Sequence, residues 1–380
     1  MPAPTKVKAP RKPRRSVQRI RKAALIEQLG PGLITGAADD DPSGIATYSQ
    51  AGAQFGINML WTMVLTYPLM TAVQLVSAQI GRVTGCGLAK NLGEVLPKPL
   101  VVALVALLFV ANTINIGADL AAMGNATRLA VGGLMHLYTI GFALLSLTLQ
   151  LFIPYARYAN YLKWLTLVLL SYVAVVFTVQ INWSDVAKGL VWPTFPLTTD
   201  SFTVIVAVLG TTISPYMFFW QSSQEVEELD KDPRAKALAK APAQARGELA
   251  GLRLDTLAGM AASNIVATAI MISTAATLHL NGKTRIATAA DAAEALRPVA
   301  GDFAFVLFCL GIVGTGLLAV PVLAGSAAYA IDECKVGNAA LRTSRGKPWV
   351  FMARLPLPQS WVSASNLQIS IPSARCFGAR

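Results

Sequence analysis

Three consecutive carboxylates, Asp39, Asp40 and Asp41, stand inside an apolar run spanning about residues 29–55, and Pro42-Ser43-Gly44 follows them at once. Carboxylate oxygens are hard donors and suit hard divalent cations. Pro42 removes a backbone donor and Gly44 permits a non-helical turn, so the same stretch also frees backbone carbonyls. A second place of this kind lies in the run 200–222, where Gly210-Thr211-Thr212-Ile213-Ser214-Pro215-Tyr216-Met217 sets a proline beside hydroxyl side chains. A lone proline in an apolar helix is commonly a kink and nothing more. An unpaired charge in mid-membrane costs about 2.5–3.5 kcal/mol on the insertion scale, so three carboxylates at a break are not explained as packing. Asp41 is the first candidate ligand; Asp40 and Asp39 belong to the site or to an aqueous vestibule beside it.

The elements that must position these groups are apolar. The chain has 380 residues, 54% hydrophobic and only 14% charged, against about a quarter charged in soluble domains. Runs near 29–55, 57–81, 99–123, 134–153, 160–181, 200–222, 252–280 and 301–331 each approach the length needed to span hydrocarbon. This predicts an all-α membrane protein with about eight transmembrane helices. The net charge of +12 raises the question of nucleic acid. With the N-terminus cytoplasmic, the connections that face inside hold twenty Lys and Arg and those outside hold five. That asymmetry is the positive-inside bias of a membrane protein, and it removes the case for a nucleic-acid partner. Residues 1–28 read as a basic cytoplasmic tail touching anionic lipid, residues 29–331 as the transmembrane domain, and 332–380 as an atypical tail. From Asp332 the apolar periodicity stops, which suggests a frameshifted or rearranged end near Ile331. Two His and four scattered Cys supply neither a zinc site nor a disulfide framework. They supply no nucleophile–base pair either, so an enzyme is not expected, and neither is a cofactor.

Broken helices persist in hydrocarbon only where their freed backbone lines a cavity. Two of them, five segments apart, suggest inverted five-helix repeats with a substrate site at the midplane. On that plan eight segments leave the second repeat incomplete. Leu29-Gly30-Pro31-Gly32 through Asp41-Pro42-Ser43-Gly44 resembles the first-helix signature of the Nramp family of divalent metal transporters. Val76 to Gly85 with Leu88-Ala89 resembles that family's second-helix exit, and Ile213-Ser214-Pro215-Tyr216 its sixth-helix motif. The resemblance covers about residues 26–331. It implies a LeuT-like inverted-repeat bundle, with a divalent cation carried as substrate by alternating access between helices 1 and 6.

The resemblance carries over Asp41 as the metal-binding aspartate and Thr211 as the position of a carbonyl ligand. Gly44 and Ser214 stand at ligand positions with changed chemistry: the family has Asn and Met there, and a His where this chain has Tyr216. Losing the thioether removes a preference for Mn2+ and Fe2+ over Mg2+. These changes are most like the Nramp-related magnesium transporter branch, and losing the His puts proton coupling in doubt. Gln221, Gln224 and Asp119 are further site or vestibule groups; Asp119 lies toward the outer end of its helix, where it meets either the site or water. The expected partners are Mg2+ or Mn2+ and the lipid bilayer, in a bacterial inner membrane. Rival readings are an organic-solute transporter of the same fold, such as an amino-acid carrier, and a non-transporting membrane metal sensor. The acidic break repels a carboxylate substrate and disfavours the former.

Overall fold

The computed structural model describes residues 31–152, 173–174, 176–177, 181–231, 235–286 and 288–335. Within them all regular structure is helical. The chain order is α1 (Pro31–Asp39), α2 (Pro42–Phe55), α3 (Trp61–Thr84), α4 (Leu88–Val95), α5 (Lys98–Val131), α6 (Met135–Phe152), α7 (Trp183–Val191), α8 (Thr199–Thr212), α9 (Pro215–Lys231), α10 (Ala245–Thr274) and α11 (Ala289–Lys335). Among the described residues six helical stretches are long and apolar enough to cross a membrane: Trp61–Thr84, Lys98–Val131, Met135–Phe152, Thr199–Asp230, Pro242–His279 and Phe308–Cys334. They coincide with six of the eight expected segments. The first expected segment is the pair α1 and α2, and most of the run 160–181 lies outside the described residues.

Both breaks are written alike in the sequence, as a polar residue followed by proline. Asp41 takes extended dihedrals (φ −66°, ψ 163°), its side chain caps α2, and Pro42 opens the new helix. A residue before proline is pushed out of the α region, and an aspartate N-cap followed by proline at the first helical position restarts a helix. The α8–α9 junction repeats the device at Ser214-Pro215, with Ile213 at φ −110°, ψ 58°. A third interruption, at Gly301 (φ 83°), divides α11. The part before it is a short helical stretch that buries Ala289, Ala290, Ala292 and Ala293.

Two apolar clusters flank the breaks. One contains Ile45 and Tyr48 of α2, Met59, Met63, Ile270 to Ile272 and the Phe305–Ile312 stretch. The other gathers Ala38 of α1, the Val101–Leu120 side of α5, Met217 and Trp220 of α9, and Leu318 to Ala330 of α11. The polar break of the first helix therefore falls at the seam between two cores. Polar bonds fix the helices around it. Asn112 of α5 donates to the Leu323 carbonyl (2.9 Å) and the Ser326 hydroxyl (2.8 Å) of α11. Ser77 of α3 donates to the Phe218 carbonyl of α9.

Candidate functional site

The carboxylate of Asp41 is 3% exposed. Its Oδ1 accepts from the Gly44 amide at 2.6 Å and from the Ser43 hydroxyl at 2.7 Å. The capping geometry aims this oxygen along the first turn of α2. Gly44, lacking a side chain, lets oxygens of three elements come close. A β-carbon built there would lie 3.2 Å from Asp41 Oδ1, 3.3 Å from the Asp39 carbonyl oxygen and 3.3 Å from Thr211 Oγ1. Three oxygens from α2, the end of α1 and α8 thus surround one point. They are a carboxylate, a carbonyl released at a helix end and a hydroxyl, the hard donor set that suits a divalent cation. Among the described residues no three His, Cys, Asp or Glu side chains could hold a metal between them, so any ion here depends on backbone and hydroxyl oxygens.

The α8–α9 break contributes in two further ways. Ser214 Oγ donates to the Thr211 carbonyl at 2.6 Å and to the Gly210 carbonyl at 3.2 Å. The Thr211 carbonyl, the expected ligand, is thus partly satisfied by a neighbour in this state, and it is the Thr211 side chain that faces Gly44. The Tyr216 hydroxyl crosses to α1 and donates to the Ala38 carbonyl at 3.0 Å. A carbonyl at a helix end has no partner in its own helix, and Tyr216 supplies one.

Two other helices reach the carboxylates. Asp119 of α5 is fully buried and does not face water: its Oδ1 accepts from the Ser43 amide at 3.3 Å. Ser263 of α10 donates to Asp39 Oδ2 at 2.7 Å and lies 3.3 Å from Asp40 Oδ1. Asp39 and Asp40 are likewise buried, in protein instead of an open vestibule. Asp39 Oδ1 and Asp119 Oδ2 have no hydrogen-bond partner. Buried polar oxygens are normally satisfied, so unpaired carboxylate oxygens mark a place built for something positive.

Gln221 and Gln224 lie apart from this point, seven and ten residues past Ser214 on α9. Gln221 accepts from the Thr35 hydroxyl of α1 at 2.6 Å and donates to Glu225 at 3.4 Å. Sequence reasoning did not single out Ser263 or Glu225. The signal for Ser263 was present as spacing: Asp255, Gly259 and Ser263 recur every fourth residue on α10, and they meet Gly32, Gly36 and the Asp39–Asp40 pair in turn.

Comparison with known proteins places this geometry in a context. The family model described as "Natural resistance-associated macrophage protein-like" matches residues 32–354. The "Divalent metal cation transporter MntH" of Yersinia enterocolitica is 30% identical over 317 residues, 80% of this chain and 71% of the relative. Its counterpart from Pectobacterium carotovorum subsp. carotovorum is 29% identical over 312 residues, 80% of this chain and 71% of the relative. The crystal structure of a manganese transporter from Eremococcus coleocola, in complex with an aromatic bis-isothiourea substituted compound, superposes with a TM-score of 0.65 at 17% identity. That match covers 90% of this chain and 70% of the other. The all-α, LeuT-like bundle with broken first and sixth helices is the shared fold.

Proposed function

Because this chain belongs to the natural resistance-associated macrophage protein-like family and is an integral, multi-pass membrane protein, we infer that it transports divalent metal cations, with Mn2+ and Mg2+ as substrates held where its two broken helices meet. The observation that carries this reading is the set of three oxygens around Gly44: Asp41 Oδ1, the Asp39 carbonyl and Thr211 Oγ1. Asp41 supplies the charge. The carbonyl and hydroxyl complete part of a hard shell, and water fills the rest. Asp119 and Asp40 add negative potential to hold a dication in a low-dielectric seam. Gly44 and Ser214 bring no sulfur, so the donor set does not favour Mn2+ over Mg2+ by softness. An all-oxygen donor set of this kind suits Mg2+ at least as well as Mn2+.

The near-complete burial of Asp41 supports an occluded state. Entry and exit then require the half-helices to move: α2 with α8 toward the outer face, α1 with α9 toward the cytoplasm. In this direction the Ser214 hydroxyl leaves the Thr211 carbonyl and frees it for the ion. A negative-inside potential drives a dication inward with about 4.6 kcal/mol per 100 mV, so influx needs no proton. The unit that performs this is residues 29–331. Its Lys and Arg give the segment 1–28 the charge of a cytoplasmic side in a bacterial plasma membrane, and α11 carries the unit past Ile331 to Lys335.

The test is influx of Mn2+ and of Mg2+ into proteoliposomes under a negative-inside potential, for the wild type and for Asp41→Ala. Both ions are expected to enter, and the variant is expected to lose at least about tenfold in rate, a change of roughly 1.4 kcal/mol. Influx that survives unchanged in Asp41→Ala sinks the site. Influx of neither ion by well-folded wild type sinks transport itself.

A further inference from the structure

A row of polar side chains leads from the carboxylates toward the cytoplasmic face. Thr35 sits on α1 one turn before Asp39 and is fully buried. Its hydroxyl donates to Gln221 Oε1 of α9 at 2.6 Å. Gln221 Nε2 in turn donates to Glu225 Oε1 at 3.4 Å, one turn further along α9. All three residues are buried, and Glu225 is 5% exposed. Glu225 is eleven residues past Ser214, about 16 Å along the helix at 1.5 Å per residue. Its end of α9 joins the connection 223–253, which the Lys and Arg distribution assigns to the cytoplasm.

A buried carboxylate at this depth is expensive and normally paired. Glu225 forms no ion pair with a described residue. The nearest candidate cation, Arg82 at the end of α3, is taken by Glu248 of α10. Arg82 is held close by, because Gly81 beside it packs so tightly on α9 that a β-carbon built there would overlap the Ser222 carbonyl and lie 3.2 Å from the Glu225 β-carbon. The arrangement keeps the guanidinium occupied elsewhere and leaves the carboxylate with one weak amide donor. A structural role would be met equally well by a glutamine at 225, which accepts the same bond from Gln221. A glutamine would not keep the negative charge, which is what a passing cation would use.

We propose that Glu225 is the inner station of the transport path, receiving the divalent cation from the site and passing it to the cytoplasm. Thr35 and Gln221 supply the neutral oxygens between. The cation moves from the Asp39–Asp41 break past the Thr35 hydroxyl and the Gln221 amide oxygen to Glu225, when α1 separates from α9. Glu248 holds Arg82 off the station, so the exit stays attractive to cations. This inference rests on the transport reading above.

The experiment is initial-rate uptake of radioactive Mn2+ by intact bacterial cells producing the full chain, where every copy faces the same way. External Mn2+ is varied for the wild type, Asp41→Ala, Glu225→Gln and Glu225→Asp, and each variant's heat stability is measured in detergent. Glu225→Gln is expected to keep the external half-saturation concentration within about twofold and to lower the maximal rate about tenfold, because outward-side capture is intact and inward release is slowed. Glu225→Asp, which keeps the charge, is expected to retain at least about half of the maximal rate. An unchanged maximal rate in Glu225→Gln overturns the proposal. So does a raised half-saturation concentration at constant maximal rate, or a Glu225→Asp variant that is stable yet as slow as Glu225→Gln. Wild-type uptake that is lost in Asp41→Ala but kept in Glu225→Gln removes the inner station and leaves the transport reading standing. No wild-type uptake above empty cells removes both.

Discussion

A hydroxyl that serves two carboxylates at once, as Ser263 does for Asp39 at 2.7 Å and Asp40 at 3.3 Å, has only one proton to give. The shorter bond takes most of it, and Asp40 is held more loosely. Hydrogen bonds to charged groups contribute about 1.5–3 kcal/mol, and a buried acceptor left alone costs about as much. Ser263→Ala should therefore lower the thermal midpoint in detergent and weaken Mn2+ binding measured by titration calorimetry, with Ser263→Thr restoring most of both. A midpoint unmoved by the alanine would mean the two carboxylates do not depend on α10. Gly44 offers a complementary change. A β-carbon there meets oxygens at 3.2–3.3 Å, so Asn fits after its neighbours give by a few tenths of an ångström. Gly44→Asn combined with Ser214→Met returns an amide oxygen and a soft sulfur, and it should raise the Mn2+-to-Mg2+ flux ratio about tenfold. A ratio that stays level would show that ligand softness does not set selectivity here. At this scale the sequence pointed to Asp41 and Ser214 as an acidic and a hydroxyl residue beside a proline in an apolar run, and the family resemblance added Gly44 and Thr211 as expected ligand positions. It did not disclose Ser263, since an isolated serine in a membrane helix ordinarily bonds its own backbone.

At the scale of elements, the site depends on how closely α1 lies along α10. Gly32 donates its amide to Asp255 at 2.7 Å, a side chain on Gly36 would overlap the Gly259 backbone, and the next turn brings Ser263 to the carboxylates. Small residues at such a spacing allow two membrane helices to approach along their backbones. Gly36→Ala should push α1 off this track. Overpacking costs about 1–3 kcal/mol, and the expected result is a lower melting temperature together with weakened Mn2+ binding. Gly251→Ala on the same α10 meets nothing within 4 Å, and it should be neutral or slightly stabilising, since alanine gains up to about 1 kcal/mol over glycine in a helix. Equal stability of the two variants would dissolve the seam argument. The breaks in both helices were readable, because Pro42 and Pro215 with their preceding Asp41 and Ser214 are local instructions. The seam was not, because the register between residues 223 apart is fixed by packing and leaves no local mark. The short helices α4 and α7 also lay within stretches that read only as connections, being too brief for an apolar period to stand out.

For the whole molecule, the apolar runs disclosed the bundle, and the placement of Lys and Arg sets an expected orientation for it, because hydrocarbon thickness and the positive-inside bias are global constraints that each connection reports on. The far end was less readable. The periodicity lapses after Ile331, yet α11 continues to Lys335, and Glu333 there accepts from the Ala89 amide of α4 at 3.0 Å and the Ser223 hydroxyl of α9 at 2.9 Å. Those polar bonds hold a helix end that no apolar pattern announces. They also tie α4, α9 and α11 at one face, the face assigned to the cytoplasm by charge. The orientation makes a direct prediction. Lys240, in the connection between α9 and α10, and Lys283, in the connection before α11, are both exposed, and they lie at opposite ends of α10. In a cysteine-free background, Lys283→Cys should react with a membrane-impermeant maleimide on intact cells, whereas Lys240→Cys should react only after the membrane is permeabilised. The reverse pattern would invert the molecule and put the Thr35–Gln221–Glu225 row on the outer side, where it would serve entry instead of exit. Labelling of both on intact cells would mean that α10 does not cross the bilayer, which its length and composition argue against: the stretch Pro242–His279 has 38 residues, more than the roughly 20 that hydrocarbon requires.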